Sequence, residues 1–271
     1  MKIPPALLRI LLAVAASYVV ICVFAWFMQR KLMYFPDTAA VAPLSGTGMQ
    51  DVTLKTSDGI DIKASWWPGK RKVALLLFHG NAGHRGHRFD WMGVFHSLGH
   101  PVLMLDYRGY GGSGGEPSED GLNRDADAAI AWLKKNAPDK KIVYMGESIG
   151  ASVAVACAAR HAPAGLVLQS SALDLADVAA YHHPYLPTGL IMNDRFDARD
   201  LASKLAVPLL SIHGDEDTII PMKFGRALYD AAPGPKEWYE VKGAGHNDVI
   251  PRGGTPYYQR IATFLSEIEK S

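Results

Sequence analysis

Five short runs in this chain are almost wholly apolar: Val73 to Phe78, Val102 to Leu105, Ile142 to Met145, Leu166 to Leu168 and Leu209 to Ile212. A strand with one wet face alternates apolar and polar side chains, so strands lacking a polar face must be covered on both sides. Helical stretches lie between them, clearest from Glu119 to Lys135 and from Ile149 to Arg160. Such alternation predicts an α/β fold, a mostly parallel sheet between two layers of helices. A strand from Trp238 to Val241 and an amphipathic helix from Tyr257 to Ile268 complete it. Upstream, Asp51 to Lys55 and Ile60 to Ala64 alternate around the turn Ser57-Asp58-Gly59, which predicts an antiparallel hairpin with one solvated face. At 271 residues, one large core accounts for the whole.

In an open parallel sheet, functional groups gather beyond the C-terminal ends of the strands. The conspicuous polar residues fall there. His79-Gly80-Asn81-Ala82-Gly83 follows Phe78, Asp106 follows Leu105, and Ser148 follows Met145. His213-Gly214-Asp215-Glu216-Asp217 follows Ile212, and Gly243-Ala244-Gly245-His246 follows Val241. Five loops are expected on one rim.

Gly146-Glu147-Ser148-Ile149-Gly150 carries the chemistry. A serine at a strand-to-helix turn sits on strained backbone, its hydroxyl lifted clear of the sheet and the next N–H at a helix N-terminus. Gly111-Gly112-Ser113-Gly114-Gly115 has the same pattern, but Glu116 and Pro117 follow and no helix opens there. The nominal dinucleotide fingerprint Gly109-x-Gly111-x-x-Gly114 fails for the same reason. Ser148 is therefore the nucleophile candidate.

A serine hydroxyl needs a base, and the base needs an acid to hold its tautomer. The order Ser148, Asp217, His246 is that of a nucleophile elbow followed by an acid after a later strand and a histidine after the last one. Asp215 and Asp174 are the alternative acids, while His79 and His213 are expected to bond loop backbone. The oxyanion needs two donors: the Ile149 N–H and one from the loop after Phe78, with Asn81 first and Ala82 second.

Taken in order, the elbow, His79-Gly80-Asn81-Ala82-Gly83, Asp106-Tyr107-Arg108-Gly109-Tyr110-Gly111, His213-Gly214-x-x-Asp217 and Gly245-His246 resemble the α/β-hydrolase superfamily. More narrowly, the chain is similar to the membrane-anchored branch related to serine aminopeptidases, which includes protein depalmitoylases. The resemblance covers nearly everything from about Tyr34 onward. It implies the α/β-hydrolase fold with an eight-stranded sheet, no metal and no organic cofactor, and it makes Arg108 a structural brace near the oxyanion site. Where many relatives carry a large lid, only a short cap fits, at about 172–204. A small cap implies a fairly open site, suited to acyl chains or extended substrates rather than to burying a small polar molecule. His182-His183 in that cap lacks a carboxylate or cysteine partner at ligand spacing, so aromatic packing is its expected role.

The N-terminus stands apart. Ile10 to Met28 holds no charge and, as a helix, spans roughly 28 Å, about the hydrocarbon thickness of a bilayer. A cleaved signal peptide has a shorter apolar region ending in small residues, whereas this run ends in Phe-Ala-Trp-Phe-Met. The division expected is a membrane anchor over 1–31, a connector over 32–48 and the catalytic domain over 49–271. Lys2 and Arg9 set against Arg30 and Lys31 lean toward a non-cytoplasmic catalytic domain. The net charge of +1 gives no electrostatic case for nucleic acid. Cys22 and Cys157 are badly placed to bridge.

These features predict a membrane-anchored serine hydrolase acting on carboxylic esters or thioesters, with lipid or acylated protein as the class of substrate. A peptidase or amidase using the same residues, and a catalytically silent scaffold, are the alternatives.

Overall fold

The computed structural model describes residues 3–271, so Lys2 lies outside the described residues. Helix α1 (Pro5–Met33) comes first, with proline in its first turn and extended backbone at Tyr34 ending it. It runs about 44 Å, and by length and composition it is able to cross a membrane. Strands β1 (Phe35–Pro36), β2 (Gln50–Lys55), β3 (Asp61–Trp67), β4 (Val73–Phe78) and β5 (Ala82–Gly83) follow. Helix α2 (Phe89–Ser97), β6 (Val102–Leu105), α3 (Glu119–Asn136), β7 (Lys141–Glu147), α4 (Ile149–Arg160) and β8 (Gly165–Gln169) build the centre. Helices α5 (Leu175–His182), α6 (Thr188–Ile191) and α7 (Arg199–Ala202) form the cap; β9 (Leu209–Gly214), α8 (Met222–Ala231), β10 (Lys236–Val241) and α9 (Val249–Lys270) close the chain.

Eight strands form one sheet in the order β10-β9-β8-β7-β4-β6-β3-β2. The β2–β3 hairpin and the β3–β6 pair are antiparallel. The remaining pairs are parallel, and β4 exchanges places with β6, which is the α/β-hydrolase topology. Every residue of β4, β6, β8 and β9 is buried, as strands without a polar face require. One apolar layer holds α3 and α4, the other α2 and α9.

Two segments depart from the local reading. Within the stretch expected as a connector over 32–48, a short strand forms. Strand β1 pairs with β5, and Tyr34 is buried. A two-residue pairing with a loop more than forty residues away leaves no periodic trace. Helix α9 also starts eight residues earlier than the amphipathic pattern suggested; it is kinked at Gly254, with Pro256 just beyond.

Beneath the rim, Arg85 is 1% exposed and Asp106 fully buried. The Arg85 guanidinium bonds the Asp106 carboxylate, Ser65 Oγ at 2.8 Å and Val41 O at 3.0 Å, while the Arg85 N–H donates to Asp106 at 2.6 Å. One buried cation thus ties the loops after β4 and β6 to β3. Stripping a buried ion of its partner costs about 3–5 kcal/mol, so Asp106→Ala is expected to lower the thermal midpoint by roughly 6–20 °C, read by scanning calorimetry of the full chain in detergent.

Candidate active site

Ser148 joins β7 to α4 at φ 55° and ψ −122°, a left-handed conformation that costs a non-glycine residue about 1–3 kcal/mol. Glycines two residues either side make the turn possible. A Cβ at Gly146 would lie 2.3 Å from the Gly150 carbonyl oxygen, and one at Gly150 would lie 2.2 Å from the Phe78 carbonyl oxygen. Strand and helix can approach this closely only without side chains there. The Ser148 N–H donates to Gln169 O at 2.9 Å, locking the turn to β8.

The turn aims the hydroxyl at His246, whose Nε2 is 3.0 Å from Ser148 Oγ. On the other side of the ring, Nδ1 is 2.7 Å from Asp217 Oδ2. With Nδ1–H donated to the carboxylate, Nε2 is left free to accept the serine proton. Asp217 is anchored in turn: its Oδ1 accepts from the Ile219 and Ile220 N–H groups at 2.9 and 2.8 Å. Burial works to raise the Asp217 pKa, but hydrogen bonds from His213 and His246 outweigh it and hold the carboxyl well below the usual carboxylate range.

The alternatives are occupied elsewhere. Asp215 accepts from the Gly243 N–H at 2.7 Å, pinning the loop that carries His246. Asp174 caps α5 and pairs with Arg195 and Arg199. Ser113 Oγ donates to Asp106 O and accepts from the Lys63 N–H, which makes it a loop staple. His213 Nε2 lies 2.8 Å from Ile220 O. His79 Nδ1 lies 2.7 Å from Gly80 O, and burial lowers the His79 pKa to about 3.

Ile149 contributes the first N–H of α4, which has no intrahelical acceptor. The Asn81 N–H has no hydrogen-bond partner among the described residues, and Asn81, Ser148 and Ile149 line the same cavity of about 420 Å³. Ala82 is instead drawn into the β1–β5 pair in register with Phe35 and does not line that cavity. The brace expected from Arg108 also falls elsewhere, since Arg108 binds Asp125 on α3 and Asp58 in the β2–β3 turn. Its neighbours reach the turn after β4: Tyr107 OH donates to His79 O at 3.0 Å and Tyr110 OH to Asn81 O at 2.8 Å. Both tyrosines sit in a legible motif, but which side chain points inward depends on the turn after β6. Arg85 carried no local signal.

This geometry is the setting for the comparisons with known proteins. A family model described as "Serine aminopeptidase, S33" matches residues 69–189. A Mycobacterium tuberculosis protein, itself uncharacterized, is 39% identical over 264 residues, 95% of this chain and 93% of its own. Human alpha/beta hydrolase domain-containing protein 17B is 36% identical over 200 residues, 72% of this chain and 67% of that protein. This chain is an α/β-hydrolase. Among solved structures, the Pyrococcus furiosus esterase Pf2001 superimposes on this α/β-hydrolase with a TM-score of 0.72 at 21% identity, over 86% of this chain and 98% of that one.

The cap of the α/β-hydrolase roofs the cavity. His182 and His183 line it, His182 Nε2 lying 2.9 Å from Ile219 O, while Tyr181 packs edge-on against Phe224. Among the described residues, ligand-type atoms gather at Asp37, His84 and His87, within 4.8 Å of one another. Three such groups meet the minimum for a zinc site, but none of them lines the cavity beside Ser148. Cys22 and Cys157 are both free.

A carboxylate with a depressed folded pKa stabilises the fold above its unfolded value, near pH 4, and that contribution is lost as pH falls toward the folded value. Asp217→Asn is therefore expected to flatten the loss of stability between about pH 5 and 2, measured as urea midpoints across that range.

Proposed function

We propose that this α/β-hydrolase is a membrane-anchored serine hydrolase that cleaves carboxylic ester or thioester bonds through an acyl-enzyme on Ser148. The observation that carries the reading is the unbroken chain from Asp217 through His246 to Ser148, opening on a predominantly apolar cavity. In the first half-reaction, Ser148 Oγ attacks the carbonyl carbon as its proton passes to His246 Nε2. Asp217 stabilises the imidazolium. The Ile149 and Asn81 N–H groups receive the oxyanion, each worth about 3–4 kcal/mol in reactions of this type. Collapse expels the alcohol or thiol, which takes the proton back from His246. Water then repeats the sequence, releasing the carboxylic acid and restoring Ser148.

The family model's description points to peptides, and an aminopeptidase needs an anion to hold the substrate's ammonium group. Among the described residues, none that lines the cavity is acidic, which favours an acyl chain over an amino terminus. Helix α1 supports the membrane assignment by its length and apolar character, and the flanking charges favour a non-cytoplasmic catalytic domain.

Fluorophosphonate labelling of the full chain in membranes is expected to disappear with Ser148→Ala and persist with Ser113→Ala. Hydrolysis of p-nitrophenyl esters should fall by roughly 10⁶ with Ser148→Ala and about 10⁴ with Asp217→Asn. An unlabelled wild-type protein would point to a scaffold, and turnover of aminoacyl amides in preference to esters would point to a peptidase.

A further inference from the structure

One wall of the cavity comes from outside the catalytic fold. Ala25, Gln29, Leu32 and Met33 of α1 line it together with Val178 and Ile191 of the cap. Spacings of four, three and one place those α1 residues on a single helical face. The opposite face is apolar and open: Val20, Val23, Phe24 and Phe27 are all exposed.

The seating of α1 is specific. Gln29, a polar residue beside the apolar span, bonds the cap backbone through both ends of its amide. Its Nε2 donates to Ile191 O at 3.2 Å and to Trp26 O of α1 at 2.7 Å, and its Oε1 accepts from the Asn193 N–H at 2.6 Å. Arg30 Nε and Tyr34 OH both donate to Asp194 at 3.1 Å. Eleven residues before Gln29, Tyr18 OH donates to Tyr185 O at 2.8 Å. That separation is about 16 Å along the helix axis, so the cap follows α1 well into the uncharged stretch Ile10 to Met28. The cap's outer surface is apolar, with Leu190 88% exposed and Tyr181 and Tyr185 also exposed, as is Ile219 in the loop after β9. Such a surface beside a membrane-length helix matches the interfacial and hydrocarbon zones of a bilayer.

We infer that α1 and the cap together form an acyl-chain site filled sideways from the bilayer, in which one long acyl chain of a membrane-borne ester or thioester runs along the Ala25–Leu32 face to Ser148. The inference rests on the acyl-transfer reading of Ser148 and adds where the acyl chain lies and which way it enters. It makes α1 part of the binding site as well as the tether. Chain length is then read by a membrane helix, and the bilayer acts as the substrate reservoir.

The test uses the full chain in phosphatidylcholine vesicles, with soluble p-nitrophenyl butyrate as reference. Two palmitoyl substrates carried by the vesicles, a glycerol ester and an S-acylated peptide, distinguish a lipid source from a protein one. Ala25→Trp fills the site from the α1 wall and Met192→Trp from the cap wall. Each is expected to lower kcat/KM for whichever palmitoyl substrate is used by about tenfold or more relative to butyrate. Phe24→Trp, one residue away on the exposed face, should leave that ratio within about twofold. An unchanged ratio in both filling variants, or an equal change in Phe24→Trp, overturns the inference. So does a wild-type protein that hydrolyses butyrate but neither palmitoyl substrate, and in that case the acyl-transfer reading survives. Absence of butyrate hydrolysis together with absence of Ser148 labelling removes both.

Discussion

The strained backbone of Ser148 is the constraint around which the rim of the sheet is organised. Its left-handed conformation costs free energy, and neighbouring contacts hold it there: the Gln169 carbonyl accepts its N–H, and α4 packs against β7 and β4 where Gly146 and Gly150 leave no Cβ. Relaxing that turn would retract the hydroxyl from His246 and move the Ile149 N–H from the oxyanion position at the same time. The proposed nucleophile and one proposed oxyanion donor are therefore set by a single element of covalent structure. Preorganisation of this kind lowers the reorganisation required when charge develops.

The other donor proposed for the oxyanion, Asn81, is held by long-range contacts. Asn81 is gripped from three directions: its O accepts from the Phe35 N–H and Tyr110 OH, and its Nδ2 donates to Met33 O at the end of α1. The tip of the apolar helix thus bonds the catalytic rim directly. A buried Arg85–Asp106 pair anchors the next turn of the same loop. Helix α1, the turn at Asn81 and the cavity wall form one connected structure, which explains how a segment without periodicity comes to be paired after α1.

Much of this architecture was legible because burial leaves a local signature. Wholly apolar runs imply strands covered on both faces, and the glycines at 146 and 150 imply a close strand-to-helix approach. Chain order alone brought Ser148, Asp217 and His246 forward as a group. Asp215 and Asp217 could not be separated with certainty by composition, since both follow β9. What separates them is the path of two loops, which turns Asp215 toward Gly243 and Asp217 toward His246. The brace expected from Arg108 is made by Tyr110 for a similar reason, because side-chain direction in a tight turn depends on dihedrals that residue type only biases.

The sequence by itself determined the sheet, the strand-to-helix turn at Ser148, the candidates for the reactive groups and the membrane-length helix, all of which follow from local periodicity, glycine placement and strand-end position. Only the tertiary structure decided that Asn81 is braced by α1, that Arg85 lies buried beneath the rim, and that the helix forms one wall of the cavity. Those features join residues far apart in the chain. Their energetic support is spread over single contacts at many positions, and no window of sequence contains both partners.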